Sequence, residues 1–182
     1  MIDDSNAMRL SGTERDDEKF MKLALIEAKA AAEEGEIPIG VVVTARGRVI
    51  ARSHNLTETL NDVTAHAEMQ AITMAAESLG GKYLNDCTMY VTVEPCPMCA
   101  AALCWAQLGR LVYGASDPKR GYNLFSGKSS SMQPSATPQP AAAQQPHSAP
   151  SSLLHPKTEV LSGILADQCG ALVSDFFSKL RK

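Results

Sequence analysis

Two short stretches of the chain hold the residue types that ligate a metal and move protons. His66-Ala67-Glu68 offers an imidazole with a carboxylate two residues on, and Pro95-Cys96-Pro97-Met98-Cys99 offers two thiols in a Cys-x-x-Cys spacing. One neutral imidazole and two thiolates supply three ligands of a tetrahedral zinc ion and leave the fourth position for water, as a catalytic site requires. A Cys-x-x-Cys around a helix start can turn both sulfurs to one ion, and the helix dipole and free N–H groups there favour thiolate. Glu68 can face the same cavity without ligating, which is where a general base for the water belongs.

Each piece alone has a plainer reading. A lone His66 is a structural histidine, a lone His-x-Glu is common by chance, and a lone Cys-x-x-Cys reads as a redox pair or half a zinc knuckle. A structural zinc needs a fourth Cys or His at knuckle spacing. The other cysteines, Cys87, Cys104 and Cys169, do not pair at that spacing and read as core residues. His54 stands apart, and His147 and His155 read as part of an insertion. Taken jointly, His66, Cys96, Cys99 and Glu68 point to one catalytic Zn2+ per chain. No Gly-rich phosphate loop supports hydride or phosphoryl transfer.

The elements that must carry these residues follow from the pattern. Asp16 to Glu34 reads as a helix, with Phe20, Leu23 and Ala24 on its apolar stripe and Gly35 as its stop. Ile39 to Val43 is a β-branched run read as a buried strand, followed by a turn at Arg46-Gly47 and a strand from Arg48 to Ser53. Thr64 is read as the cap of a helix from Ala65 to Leu79, closed by Gly80-Gly81. Thr88 to Val93 is a strand, Pro95 opens a helix to Leu108, and Arg110 to Ala115 is a further strand. That strand–helix–strand unit implies parallel pairing with a right-handed crossover. A strand near Thr158 to Leu161 and a closing helix, with Leu165, Cys169, Leu172, Val173, Phe176 and Leu180 on one face, complete the pattern.

The 182 residues suit one globular domain. Lys+Arg number 17 against 20 Asp+Glu, and 45% of residues are hydrophobic, which excludes wholesale disorder. No apolar run reaches the ~20 residues of a membrane helix, and five cysteines without a signal core point to reduced thiols and a cytoplasmic protein. Charge is uneven: residues 1–100 carry 9 basic and 16 acidic side chains, residues 101–182 carry 8 and 4. This permits a basic face for a nucleic acid without requiring one. Residues 1–12 read as a flexible lead-in, with Ser5-Asn6-Ala7-Met8 resembling a cloning scar, and 13–182 as a single domain. A Ser/Pro/Ala/Gln-rich insertion at about 127–152 interrupts it, 21 of its 26 residues coming from those four types, and is expected to be disordered.

Thr64-Ala65-His66-Ala67-Glu68, Tyr90-Val91-Thr92-Val93-Glu94-Pro95-Cys96-Pro97-Met98-Cys99 and Gly109-Arg110-Leu111-Val112-Tyr113-Gly114-Ala115-Ser116-Asp117-Pro118-Lys119 resemble the motifs of bacterial tRNA-specific adenosine deaminases. Gly163-Ile164-Leu165-Ala166-Asp167-Gln168-Cys169 and Asp175-Phe176-Phe177 are similar to that family's last helix. The likeness covers roughly residues 16–125 and 158–181. It lies within the zinc-dependent cytidine/deoxycytidylate deaminase superfamily, whose zinc motifs are common to all its members. The resemblance implies an α/β fold, a three-layer α/β/α sandwich on a central mixed five-stranded sheet, and a homodimer. It implies hydrolysis of adenosine to inosine at the wobble position of a tRNA anticodon stem-loop, on a base splayed from its loop.

By motif position Asn55 would hydrogen-bond the base, Asp117 and Lys119 would contact RNA, and Phe177 would pack against the anticodon loop. Plainer readings stand beside these: Asn55 as a turn residue, Lys119 as a solvated lysine, Phe177 as core. The insertion departs from the family, replacing a much shorter connection near the expected RNA side. A deaminase of free guanine or cytosine is the alternative, since Pro97-Met98 and Trp105 suit a guanine enzyme equally. A non-catalytic zinc-bound RNA-binding subunit is the third reading, against which the presence of Glu68 counts.

Overall fold

The computed structural model describes residues 12–125 and 152–181, with side chains from Asp16 onward. The predicted lead-in and insertion therefore lie outside the described residues, apart from Gly12 and Ser152. Helix α1 spans Gly12–Glu33, β1 Gly40–Ala45, β2 Arg48–His54, α2 Ala67–Leu79 and β3 Cys87–Val93. Helix α3 spans Pro97–Trp105, β4 Arg110–Ala115, β5 Glu159–Ser162 and α4 Ala166–Leu180. No described helix is long and apolar enough to cross a membrane.

The sheet is five-stranded in the order β2-β1-β3-β4-β5, with β1 antiparallel to both its neighbours and β3, β4 and β5 mutually parallel. The expected mixed sheet and parallel crossover are thus present. Alternation along the strands builds a core on each face. Val41, Val43, Met89, Val91 and Leu111 pack with Ala71 and Ala75 of α2 and Leu103 of α3. Their neighbours Val42, Tyr90 and Val112 pack with Phe20, Met21 and Ala24 of α1 and Cys169 of α4. Cys87 and Cys169 are buried as expected, whereas Cys104 is only half-buried. His155 lies in a described turn, accepting the Lys157 N–H, and not in the insertion.

Two helix starts differ from the sequence pattern. Thr64 does not cap α2: its hydroxyl and its N–H both donate to Asp62 Oδ1 at 2.7 Å, so the capping position falls to His66, in extended conformation. Likewise α3 begins at Pro97 and not Pro95, and ends at Trp105 rather than Leu108. The proline ring after Cys96 forces that residue out of the helical region, at φ −72° and ψ 168°.

Asp17 ties α1 to the sheet. It is 2% exposed and accepts from both Arg110 guanidinium nitrogens, at 2.7 and 2.8 Å, and from the Tyr90 hydroxyl at 2.9 Å. Burial works against its charge, but Arg110 and Tyr90 outweigh it and hold the carboxyl below its ordinary range. A depressed pKa stabilises the fold above the unfolded aspartate value of about 3.9, and that contribution fades as pH falls through the folded value. Asp17→Asn is expected to cost about 3 kcal/mol in urea unfolding at pH 7, the gap narrowing toward pH 3. An equal loss at both pH values would remove the charge as its source.

Candidate metal centre

All the segments singled out by the sequence leave the sheet at one end. Gly40 at the start of β1 pairs with His54 at the end of β2, Val41 with Val91 of β3, and Val93 with Ala115 of β4. The residues before β1 and those after β2, β3 and β4 therefore emerge side by side. In a sheet of this kind the carboxyl ends of the parallel strands are where ligands are held.

Here two helix N-termini meet. His66 is the N-cap of α2 and Cys96 the N-cap of α3, and neither side chain caps its own helix. They turn to each other instead: Cys96 Sγ lies 3.7 Å and Cys99 Sγ 3.5 Å from His66 Nδ1. The three donor atoms all fall within 4.8 Å of one another. A tetrahedral zinc with Zn–N ~2.0 Å and Zn–S ~2.3 Å requires N···S separations of ~3.6 Å, so the donor set fits that ion. The Cys99 thiol hydrogen-bonds Cys96 and the His66 ring stands beside it; against the opposing effect of burial these take the Cys96 pKa down to about 4. The same contact, with burial, pushes Cys99 up, and the Cys96 contact pulls His66 up.

Glu68 is the second residue of α2, 3% exposed, and burial pushes its pKa up. Its Oε2 is the one buried side-chain oxygen among the described residues with no hydrogen-bond partner. A buried acceptor left unpaired is costly, and at such a place it marks a group that a ligand or solvent completes.

The other predicted residues are distributed around this point. Asn55 is buried just past β2, whose exit is tied to the His66 segment by Leu56 N–H to Ala65 O at 3.0 Å and Ser53 Oγ to Ala67 O at 2.8 Å. Its amide nitrogen donates to Glu36 Oε2 and Thr57 Oγ1, both at 2.9 Å. A carboxylate only accepts, so the amide nitrogen must face Glu36 and Oδ1 is turned away from it. Asp117 and Lys119 follow β4; Asp117 Oδ1 accepts the Lys119 and Arg120 N–H groups, and Lys119 is exposed. Phe177 lies on α4, which packs on the other face of the sheet from α2 and α3; it is 39% exposed and meets Phe176 edge-on.

Sequence reasoning missed two buried glutamates. Glu36 is fully buried before β1 and accepts the Glu58 and Thr59 N–H groups besides Asn55 and Thr57. Burial opposes its charge, but these bonds prevail and keep its carboxyl below the usual range. Glu94, buried after β3, receives the loop that follows β4. Both look like solvated loop acids in the sequence; only the position of Glu94 beside Pro95-Cys96 hinted otherwise.

Comparison with known proteins agrees with this geometry. The MafB19-like deaminase family matches residues 15–136. A solved structure from work on A-to-I editing by tRNA:A34 deaminases at the wobble position of transfer RNA is 43% identical. It matches with a TM-score of 0.65 over 85% of this chain and 98% of the other. Guanine deaminase from Bacillus subtilis is 42% identical, with a TM-score of 0.52, over 54% of this chain and 64% of its own. The tRNA-specific adenosine deaminase of Agrobacterium fabrum is 45% identical across 89% of this chain and 94% of its own length. Agreement over so much of both sequences goes well beyond a borrowed motif: the chain belongs to the tRNA-specific adenosine deaminases.

Proposed function

We propose that this protein hydrolyses the 6-amino group of an adenosine at the wobble position of a tRNA anticodon, giving inosine and ammonia. The observation that carries the reading is the buried Glu68, whose carboxyl contacts the Cys99 thiol and feels the His66 ring while its Oε2 has no partner, beside a three-donor cluster. His66, Cys96 and Cys99 would hold a zinc ion, which when bound supplies the Lewis acidity that brings water close to ionisation at neutral pH.

Glu68 takes a proton from the attacking water at Oε2, delivers it to the ring nitrogen, and then carries a proton to the departing amine. One carboxyl serves as base and acid in turn, and a pKa raised by burial suits a group that must hold the proton between those steps. Asn55 meets the base through Oδ1, since its amide hydrogens are spent on Glu36 and Thr57. Asp117, Lys119 and Phe177 meet the flanking RNA. A base in a duplex could not reach so enclosed a carboxylate, which favours a nucleotide splayed from a loop.

The test is a substrate comparison on the zinc-loaded protein. An adenosine-containing anticodon stem-loop should be converted to the inosine form, while free guanine and cytosine are left intact. With two or three phosphate contacts, kcat/KM should fall about tenfold between roughly 50 and 200 mM salt. Turnover of free guanine with the stem-loop ignored would replace this reading by that of a free-base enzyme, to which the shorter likeness to guanine deaminase also points.

A further inference from the structure

Glu94 stands between the end of β3 and Pro95, two residues before Cys96, and is 7% exposed. Both carboxylate oxygens are engaged, and both by backbone of the segment after β4: Oε2 accepts the Asp117 N–H at 3.1 Å and Oε1 the Asn123 N–H at 3.0 Å. Two backbone bonds run alongside. Glu94 N–H donates to Ala115 O at 2.8 Å, and Tyr122 N–H donates to Pro95 O at 2.9 Å. Gly121 crosses the carboxylate so closely that a Cβ there would collide with it. The loop 117–123 is thus wrapped around one buried anion.

What the loop presents outward is Lys119 and Arg120, both exposed, with Asp117 Oδ1 holding their N–H groups at 2.9 and 3.0 Å. Their distance from the metal centre is set by how the loop is anchored. Hydrogen bonds to an ionised acceptor are about twice as strong as neutral ones. The anchor also sits on the chain segment that delivers Cys96.

We propose that Glu94 is a positioning residue for the nucleic-acid substrate. It docks the 117–123 loop onto the approach to Cys96, so that Asp117 and Lys119 grip the strand at a fixed distance from the reacting base. The inference rests on the tRNA reading above. It concerns binding and not proton transfer, so its signature is in KM.

The experiment is Glu94→Gln, assayed on the anticodon stem-loop with zinc content measured in parallel. Glutamine keeps the volume but offers one acceptor, so one loop amide faces an N–H2 group. KM should rise about tenfold, the worth of one charge-assisted hydrogen bond, with kcat within about twofold and one zinc per chain retained. In a double-mutant cycle, Lys119→Ala should raise KM in the parent protein and have little further effect beside Glu94→Gln, because a displaced loop has already lost that contact. Should Glu94→Gln fold poorly, Glu94→Asp, which keeps the charge one methylene short, is expected to show the same pattern more weakly.

An unchanged KM, a kcat that falls together with zinc content, or full additivity with Lys119→Ala would each overturn the proposal. A parent protein inactive on the stem-loop would instead overturn the tRNA reading. In that case, hydrogen exchange at the Asp117 and Asn123 amides still decides whether Glu94 anchors the loop. Protection lost in Glu94→Gln supports the anchor, and protection unchanged refutes it.

Discussion

Glu68→Ala is expected to leave a folded, zinc-loaded protein whose kcat on the stem-loop drops by about 10²- to 10⁴-fold, the range spanned by loss of a general acid–base group. The size follows from the absence of a substitute. Glu68 is buried, and its Oε2 is the one buried side-chain oxygen among the described residues that nothing in the protein engages. The two other buried glutamates at this end of the sheet are already engaged, Glu36 by the Asn55 amide and the Glu58 and Thr59 N–H groups and Glu94 by the Asp117 and Asn123 N–H groups, so neither stands free to take over the proton. Glu68→Gln should fail almost as badly, because an amide keeps the shape but cannot shuttle a proton. Metal analysis separates this from damage to the centre: zinc should remain at about one per chain, since Glu68 lies outside the His66–Cys96–Cys99 donor group. Turnover within tenfold of the parent would remove Glu68 from the proton path.

Cys96→Ala and Cys99→Ala should each abolish zinc retention and with it all measurable activity. Cys96 is the thiol most readily ionised, and Cys99 is buried within α3 against the same imidazole. Two remaining ligands do not make a tight site. Metal bound only by the folded state stabilises it by about 4 kcal/mol at a thousandfold excess over Kd, so the melting temperature should fall roughly 10 °C for a chain of this size. Stripping the parent protein with a chelator should reproduce that shift and leave the cysteine variants unmoved. A variant that keeps full zinc content would contradict the ligand assignment.

The centre was legible because each half is local. His66-Ala67-Glu68 and Cys96-Pro97-Met98-Cys99 need only a helix start to present their side chains, and the glycines, prolines and β-branched runs around them mark where helices and strands begin. The errors were also local and have named causes. Asp62 captures the Thr64 hydroxyl, which transfers the capping position to His66, and the Cys96-Pro97 peptide delays α3 by two residues. These shifts matter chemically. They place both His66 and Cys96 at the first, non-helical position of their helices, where a side chain is free to face another element and not its own turn.

The two clamping glutamates were not legible, and they show where sequence reading stops. An isolated acid in a connecting segment normally keeps its charge in water, so Glu36 and Glu94 carry no mark that distinguishes them from solvated neighbours. What buries them is the arrival of backbone N–H groups from residues 58, 59, 117 and 123, brought in by the pairing of β1 with β2 and of β3 with β4.

The amino-acid order by itself determined the kind of chemistry, because ligand type, ligand spacing and the position of helix starts are properties of short segments. Only the tertiary structure decided which atoms are left free to act. Whether Glu68 Oε2 lacks a partner, which way the Asn55 amide faces, and where the Lys119 loop is anchored all depend on hydrogen-bond donors that lie far away along the chain and meet only when the sheet closes.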